Sequence, residues 1–367
     1  MADEIRIGII GVGIIGKSHI RTYRGIPGVK IVAAADIDHP ELARVAGESG
    51  IPRTFRRYRD LLKLEEIDAV DVCLHNNLHA PVAIAALEAG KHVYCEKPMA
   101  GSYVDAKAML DTAKRCDKML HIQLATLYSA EHKTARRLIS EGHLGRIYYA
   151  RSFGFRRRGR VYVDGYATPE FVQRKTAAGG AMYDMGVYHL AQIVDLLGNP
   201  EVVTVTGSTY QEIPMYEAQA KESGYNVEEL GIGFARLAGG ITLDIEESWA
   251  IHYDDSESSK ILGSLGGLKL RPLTFFSRVG DVETSAAVDV GLADSRWHRW
   301  EPDYDAYDGS QQHWIAALRG RVPLFPTAEI ALKVMLISEG IYQSQKLKRE
   351  LTRAEILKNS KSSALRV

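Results

Sequence analysis

Short apolar runs alternate with segments of helix length over the first hundred residues, and this alternation limits the possible folds more than any other feature. The runs are mainly aliphatic and fall at residues 5–10, 30–36, 68–74 and 91–95. Strands buried on both faces of a parallel sheet have this composition, and a helix normally connects each strand to the next. The pattern predicts a chain of βα units, and hence a doubly wound parallel sheet.

The segment 79–90 is the clearest predicted helix between two of these runs. Its apolar residues, Val82 and Leu87 among them, supply one face. Pro81 suits a first helical turn, where its missing N–H costs nothing, and Gly90 suits the left-handed residue that follows a last turn.

The sequence GVGIIG joins the first apolar run to the first predicted helix. Its glycines permit a tight turn and let the backbone approach a pyrophosphate at the helix N-terminus. Strand, glycine turn, helix and an acid twenty residues later together indicate a dinucleotide site, whereas a glycine-rich turn beside a solvated aspartate would explain only part of the pattern. The predicted cofactor contacts in this region are Gly11, Gly13, Ile14, Ile15, Gly16 and Asp36.

Asp36 also discriminates between the two nicotinamide cofactors. Its carboxylate would hydrogen-bond the ribose hydroxyls of an adenosine and repel a 2′-phosphate. No Arg or Lys follows directly in the sequence DIDHP to neutralise such a phosphate. The sequence therefore predicts NAD rather than NADP.

The remainder of the chain has a different pattern. From Ile241 to Trp249 apolar and polar residues alternate, which is typical of a strand in an antiparallel sheet with one covered face. We therefore expect a Rossmann NAD-binding domain over residues 1–125 and an α+β domain with a large open, mainly antiparallel sheet over residues 126–367. Strand-like runs in the second domain fall at 146–156, 200–210, 230–240, 241–252 and 259–270.

A long helix and a basic tail are expected at the end of the second domain. The helix is predicted over residues 327–346, and its apolar face carries Ile330, Val334, Ile337 and Ile341. The tail KNSKSSALRV is expected to be frayed surface.

Composition and charge exclude several classes of protein. Lys plus Arg equals Asp plus Glu at 46 each, so there is no electrostatic footprint for nucleic acid or an anionic membrane. The start has no basic segment followed by an apolar leader core, and no run of about 18 apolar residues occurs. We expect a cytoplasmic protein whose partners are small molecules and copies of itself. The cysteines Cys73, Cys95 and Cys116 have no metal-ligand spacing, which predicts buried thiols and no metal.

Two longer stretches carry a family resemblance that covers essentially the whole chain. Together with the glycine motif and Asp36, they are similar to the Gfo/Idh/MocA family of sugar and polyol oxidoreductases, named for glucose-fructose oxidoreductase and inositol dehydrogenase. Members usually read Thr-Pro-Asn where this chain has Leu74, His75 and Asn76, although Asn76 and His79 still match. The stretches are NNLHAPVAIAALEAGKHVYCEKPMA and GGAMYDMGVYHLAQIVDLLG.

The resemblance assigns roles to the residues around Lys97. It implies a cis peptide bond before Pro98, and it places Lys97 between the nicotinamide and the substrate, where its ammonium would bond a substrate hydroxyl and exchange the proton. Pro98 disfavours helical geometry at Lys97, consistent with a side chain that turns into the ligand crevice of the sheet. The further cofactor contacts implied in this way are Leu74, His75, Asn76, His79, Glu96 and Lys97. Gln123 is a weaker candidate, because it follows a predicted strand near the cofactor.

The second stretch implies the rest of the catalytic set. Asp184 and Tyr188 stand at i and i+4, and they share a face if residues 182–197 form one uninterrupted α-helix. Many family members have histidine at the i+4 position, whereas this chain has tyrosine there, as in the tyrosine-bearing branches. His189 lies one helical step of about 100° further on and is expected to be a flanking contact or a hydrogen-bonded core histidine. Arg158 is a weaker candidate for substrate binding.

The expected function is transfer of a hydride between NAD and a secondary alcohol of a sugar, glycoside or cyclitol, with Lys97 as the acid–base group. One alternative is an NAD-dependent glycoside-cleaving enzyme that uses transient oxidation at C3 and elimination. Another is a non-catalytic NAD-sensing subunit, against which the presence of Lys97, Asp184 and Tyr188 argues. The open sheet, together with the resemblance, implies a homodimer or homotetramer joined through the C-terminal domains.

Overall fold

The computed structural model describes residues 4–254 and 258–366. Its strands, in chain order, are β1 Ile5–Ile10, β2 Val29–Ala35, β3 Thr54–Phe55, β4 Ala69–Val72, β5 His92–Cys95, β6 Leu120–Ile122, β7 Ile147–Phe155, β8 Val202–Tyr210, β9 Leu230–Leu237, β10 Ile241–Ser248, β11 Lys260–Gly263, β12 Gly266–Leu270, β13 Leu273–Val279, β14 Val282–Ala287 and β15 Leu351–Thr352. Its α-helices are α1 Ile14–Arg24, α2 His39–Ser49, α3 Tyr58–Leu62, α4 Asn76–Glu88, α5 Tyr103–Arg115, α6 Ala130–Ser140, α7 Arg174–Ala177, α8 Val187–Leu196, α9 Glu217–Ser223, α10 Val290–Trp300, α11 Ser310–Leu318, α12 Thr327–Leu347 and α13 Arg353–Asn359.

The chain divides into two compact units. The first contains the residues up to Gln123, Asp305–Glu329 and the segment from Ser362 onwards, and the second contains Leu124–Tyr304 and Ile330–Lys361. The division predicted from the sequence placed everything after residue 125 in the second domain. The two later segments belong to the first unit because they pack against it. For example, the buried indole of Trp314 on α11 belongs to the same apolar core as Ile7 on β1.

The first unit is built on a parallel sheet in the order β3-β2-β1-β4-β5-β6. The four apolar runs of the sequence correspond to β1, β2, β4 and β5, which confirms the predicted doubly wound sheet. The strand order reverses at β1, whose neighbours are β2 and β4. In sheets of this kind ligands bind at the carboxyl ends of the strands beside that reversal.

Helix α4 begins three residues earlier than predicted, so Pro81 lies inside it rather than in its first turn. Because proline has no N–H, the carbonyl of Asn77 lacks its usual donor four residues on. The amide of Leu365 supplies one instead at 2.9 Å. The amide of Ser363 likewise donates to Asp105 on α5 at 2.8 Å. The prediction that the tail frays is therefore wrong, since the first unit binds it.

The second unit is built on a mixed sheet in the order β14-β13-β12-β11-β7-β10-β9-β8-β15. Strand β10 pairs antiparallel with β9 and parallel with β7. The predicted long helix is confirmed as α12, which packs closely on the sheet. A Cβ at Gly207 would lie 2.9 Å from the side chain of Ile341, and a Cβ at Gly233 would lie 2.5 Å from it. These two glycines therefore leave room for Ile341 against the sheet.

Two further sequence expectations can be compared with the structure. Cys73 and Cys95 are buried, as predicted, and Cys116 is partly buried. In the part of the chain that the structure describes, no helix is both long and apolar enough to span a bilayer.

Candidate active site

The glycine turn of the first unit leaves one face of its backbone open. Gly11 has φ +96°, and a Cβ there would lie 2.2 Å from the carbonyl oxygen of Cys73. A Cβ at Gly16 would lie 2.1 Å from the carbonyl oxygen of Gly11, whereas one at Gly13 would meet nothing within 4 Å. Two glycines are therefore required by close packing, and Gly13 presents open backbone directly before α1. This arrangement fits a pyrophosphate at a helix N-terminus.

Asp36 is held in place by the main chain at the end of β2. Its two carboxylate oxygens accept hydrogen bonds from the amides of Val12 at 2.8 Å and Asp38 at 2.9 Å. A carboxylate has about four acceptor positions, so two amides leave capacity for ribose hydroxyls. The next side chain, Ile37, is 84% exposed and offers apolar surface for an adenine. The residues present thus fit the adenosine half of NAD.

The Glu96-Lys97-Pro98 segment lies at the carboxyl end of β5, with a partly buried Lys97. The peptide bond before Pro98 is cis, as the resemblance implied. His79 is fully buried, with Nδ1 2.7 Å from the carbonyl oxygen of Pro98 and Nε2 3.0 Å from that of Leu74. Burial lowers the pKa of His79. Its ring therefore connects the ends of β4 and β5, so any effect of His79 on a ligand acts through the loops that it holds.

A buried ion cluster lies directly behind Lys97. His19 on α1 places Nδ1 2.9 Å from Asp71 and Nε2 2.9 Å from Glu96. Burial alone would lower the pKa of His19, but the charges and hydrogen bonds of Asp71 and Cys73 together raise it well above its usual value. Burial would raise the pKa of Glu96, but the hydrogen bond and charge of His19 lower it. These directions favour a protonated His19 beside an ionised Glu96, and the backbone amide of Lys97 donates to Glu96 Oε2 at 3.1 Å.

Sequence reasoning missed His19 and Asp71, although an aspartate inside the apolar run 68–74 is a detectable signal. The ligand atoms of His19, Asp71 and Cys73 lie within 4.8 Å of one another, a spacing that a metal ion could use. They also bond to each other, since Cys73 Sγ lies 3.2 Å from Asp71 and 3.3 Å from His19. A cation there would have to displace the proton of His19, and the expectation of no metal stays a prediction.

The other predicted cofactor contacts of the first unit also follow strand ends. Leu74 and His75 come after β4, and His75 is the N-cap of α4, whose first residue Asn76 is buried. Gln123 follows β6, and its backbone N–H donates to the carbonyl of Cys95 at 2.9 Å. Parallel strands place their carboxyl ends at one edge of a sheet, so the structure brings these residues to the same edge as the glycine turn.

In the second unit the predicted catalytic helix begins as a π-helix over Met182–Gly186 and continues as α8. The assumption of an uninterrupted α-helix is therefore wrong in the first turn. A π turn holds more residues than an α turn because its hydrogen bonds span five residues, and later positions are rotated back. His189 consequently lies nearer the face of Asp184 than an α-helix would place it. Within residues 181–190, the side chains that are not fully buried are those of Asp184, Tyr188 and His189.

Asp184 and His189 are each held by a residue of strand β10 or its end. The buried indole of Trp249 donates to Asp184 Oδ2 at 2.9 Å, and Arg156 lies 3.9 Å from the same oxygen. His189 Nδ1 lies 2.8 Å from Glu247 Oε2.

The structure places Arg158, the predicted substrate contact, against other residues. Its guanidinium lies 3.5 Å from Asp164 and over the ring of Tyr216. Arg156 is therefore the arginine beside Asp184, a distinction that the sequence RRRGR gave no means of making.

The glycine pair before the π-helix permits a close approach of the chain at Glu228. A Cβ at Gly180 would lie 1.9 Å from the carbonyl oxygen of Glu228. The Glu228 side chain accepts hydrogen bonds from the amides of Gly180 at 2.9 Å and Met182 at 3.1 Å. Burial raises the pKa of Glu228. This carboxyl group fixes where the π-helix begins, and therefore where Asp184 lies.

Comparison with known proteins agrees with both halves of this description. Residues 5–124 match the family model described as oxidoreductase family, NAD-binding Rossmann fold, and residues 132–269 match the GFO/IDH/MocA C-terminal domain. The chain belongs to the Gfo/Idh/MocA family. NAD is therefore the cofactor of the first unit, whose glycine turn and Asp36 fit it.

Several relatives of known name cover much of this Gfo/Idh/MocA protein. D-glucoside 3-dehydrogenase of Escherichia coli is 25% identical over 351 residues, which is 94% of this chain and 96% of that one. Levoglucosan dehydrogenase of Pseudarthrobacter phenanthrenivorans is 32% identical over 241 residues, 60% of this chain and 59% of that one. A solved levoglucosan dehydrogenase in complex with NADH has a TM-score of 0.79 at 23% identity, covering 95% of this chain and 98% of the other. That last similarity concerns the fold alone.

Proposed function

We propose that this protein is an NAD-dependent dehydrogenase that oxidises a secondary alcohol of a sugar, glycoside or cyclitol, or reduces the corresponding ketone. Family membership supports the redox chemistry, and relatives named for glucosides and levoglucosan support a carbohydrate substrate. The observation that carries the proposal is Lys97, a partly buried amine at the carboxyl end of β5, in the unit that binds NAD.

Bound NAD would supply the hydride acceptor for this oxidation. Lys97 bonds the reacting hydroxyl, and the hydroxyl proton passes to Lys97 or to a second acid–base group in the segment 184–189. Asp184 orients the sugar hydroxyls as an acceptor, and Trp249 and Arg156 hold it in position. One C–H and one O–H bond break, a carbonyl forms, and the proton stays on the protein until it reaches solvent.

The proposal is tested by screening sugars, glycosides and cyclitols for NADH formation, followed by Lys97→Met on any active substrate. Methionine keeps most of the volume and removes the charge and the proton, so hydride transfer in a single turnover should slow by about 10² to 10⁴-fold. NAD binding, measured by calorimetry, should survive. Lys107→Met on the exposed face of α5 is the matched control and should behave as wild type.

The screen also distinguishes the two alternatives. Release of an aglycone without net NADH would identify a glycoside-cleaving enzyme that oxidises C3 transiently. NAD binding without turnover of any carbohydrate would contradict the proposal in favour of an NAD-sensing subunit. The absorbance of the protein as purified records whether NAD stays bound between turnovers.

A further inference from the structure

Residues 363–365 contact the first turns of two helices of the first unit. The amide of Leu365 donates to the carbonyl of Asn77 on α4 at 2.9 Å, and the hydroxyl of Ser363 donates to Asn77 Oδ1 at 3.0 Å. The amide of Ser363 donates to Asp105 Oδ2 on α5 at 2.8 Å. We call this set of contacts the tail clasp. It joins the beginning of α4 to the beginning of α5.

The groups that the tail clasp contacts are buried acceptors. Asn77 is 3% exposed and Asp105 is 7% exposed. The carbonyl of Asn77 cannot receive the usual helical hydrogen bond, because Pro81 has no N–H. Asp105 Oδ2 also accepts from the hydroxyl of Ser102, the N-cap of α5, at 2.6 Å. Since a buried acceptor without a donor is destabilising, the tail helps to complete both helix ends.

Gly101 shows that the tail clasp is closely packed. This glycine directly precedes the N-cap of α5 and follows the Glu96-Lys97-Pro98 segment after two residues. A Cβ there would lie 1.6 Å from Oδ1 of Asn77 and 2.3 Å from the hydroxyl oxygen of Ser363. The backbone at Gly101 therefore lies directly against the Asn77 amide group and the tail, and it leaves no room for a side chain.

The two chain segments joined by the tail clasp carry expected cofactor contacts. Asn76 directly precedes Asn77 at the start of α4, and Lys97 belongs to the segment that leads into α5. His79 links the loops after β4 and β5 in the interior, through a carbonyl oxygen of each. The tail clasp links the helices that follow these loops, through residues that are partly exposed. The loops are thus fixed at two separate places.

We propose that the tail clasp positions the NAD site, with Ser363 and Leu365 as positioning residues for Asn76 and Lys97. A site that already has its binding geometry does not have to be ordered when the ligand binds. When only a fraction of the molecules has that geometry, the apparent affinity falls by the same fraction. Loss of a clasp contact should therefore weaken NAD binding without removing any expected cofactor contact. The proposal concerns cofactor binding alone, so its test needs no carbohydrate substrate.

The test measures the NAD dissociation constant by calorimetry in two variants. Leu365→Pro removes the amide donor, and Ser363→Ala removes the hydroxyl donor. Each should bind NAD about three- to tenfold more weakly than wild type, the effect expected when one hydrogen bond no longer favours the ordered loops.

Three matched variants keep or move the change. Leu365→Ala keeps the amide and Ser363→Thr keeps the hydroxyl, so both should bind NAD within about twofold of wild type. Ser360→Ala removes a nearby serine hydroxyl that bonds Glu339 of the second unit at 3.0 Å, and it should also bind NAD as wild type does.

Hydrogen exchange in the protein without NAD supplies a readout that is independent of the cofactor. Deuterium uptake by peptides covering residues 74–84 and 96–104 should rise in Leu365→Pro and in Ser363→Ala, while uptake by α8 should stay at the wild-type level. Saturating NAD should restore much of the lost protection, because the ligand favours the ordered geometry.

The two readouts must change together. Weaker NAD binding with unchanged exchange, or raised exchange with unchanged NAD binding, would overturn the proposal. A loss of thermal stability with the wild-type dissociation constant would show a purely structural tail and would overturn it as well. Should Leu365→Pro not fold, Ser363→Ala and its comparison with Ser363→Thr decide the matter. A wild type that oxidises no carbohydrate would refute the dehydrogenase proposal and would leave this inference standing.

Discussion

The proton on His19 gives a direct test of the buried ion cluster, and Asp71→Asn is the perturbation that removes its main support. An unfolded histidine has a pKa near 6.5. In the folded protein burial lowers the pKa of His19, but the charges and hydrogen bonds of Asp71 and Cys73 together raise it well above that value. Between pH 7 and 8 the folded state therefore keeps a proton that the unfolded state releases.

The size of the effect follows from linkage. A group whose folded pKa is raised stabilises the protein fully below its unfolded pKa, and this stability is lost as pH rises towards the folded pKa. One proton is worth about 1.4 kcal/mol per pH unit, and the unfolded ring is already mostly neutral at pH 7. The contribution of His19 to the free energy of unfolding should therefore fall by about 1.2 kcal/mol from pH 7 to 8.

Two measurements check this expectation. In ¹⁵N-histidine NMR spectra the ring of His19 should remain an imidazolium up to pH 9 in wild type and should titrate within that range in Asp71→Asn. In urea unfolding, the stability gap between wild type and Asp71→Asn should narrow from pH 7 to 8 by up to about 1.2 kcal/mol, the full amount when the ring of the folded variant titrates no higher than the unfolded ring. Asp111→Asn, which removes an exposed carboxylate on α5, should keep the wild-type pH dependence. A wild-type His19 that titrates near pH 6.5 would refute the account of the cluster.

Two further predictions concern the cofactor and the assembly. Wild type should bind NAD much more tightly than NADP, and Asp36→Ala should weaken NAD binding and reduce that preference, because the carboxylate that repels a 2′-phosphate is gone; equal dissociation constants in wild type, measured by calorimetry, would contradict this. The outer face of the second sheet exposes Ile232 and Phe276 on strands whose register places them on one side. We expect that face to be covered in a homodimer or homotetramer. Light scattering should show an oligomer that Ile232→Glu weakens, and a wild-type monomer at micromolar concentration would refute the prediction.

The parallel sheet could be predicted from sequence because a strand buried on both faces must be apolar at nearly every position. The same reasoning could not place residues 305–329 or the segment from Ser362 onwards, since their membership in the first unit depends on contacts far apart in sequence. Trp314 joins the core around β1, and the amide of Leu365 replaces the donor that Pro81 lacks. Neither contact can be predicted from the local pattern of apolar and polar residues.

The register of the predicted catalytic helix could not be read from the sequence for a related reason. The sequence from Met182 to Leu196 is compatible with one α-helix, and α-helical spacing favours Tyr188 as the partner of Asp184. The observed π turn depends on Glu228, whose side chain bonds the amides at the start of the helix, and on packing against Glu247 at its end. Neither residue lies within the segment whose geometry it determines.

The unusual position of Glu247, in contrast, can be detected in the sequence from the alternation of buried and exposed positions along its strand. Apolar residues at 243, 245 and 249 assign the odd positions of the strand to the buried face, and the glutamate at 247 interrupts that face. A single carboxylate in a buried phase requires a charged or hydrogen-bonding partner from a neighbouring element, and local violations of pattern tend to mark functional sites. The structure supplies that partner as His189, five residues after Asp184. The pattern that predicted the sheet therefore also indicates, at the one position where it fails, the carboxylate that holds the ring of His189.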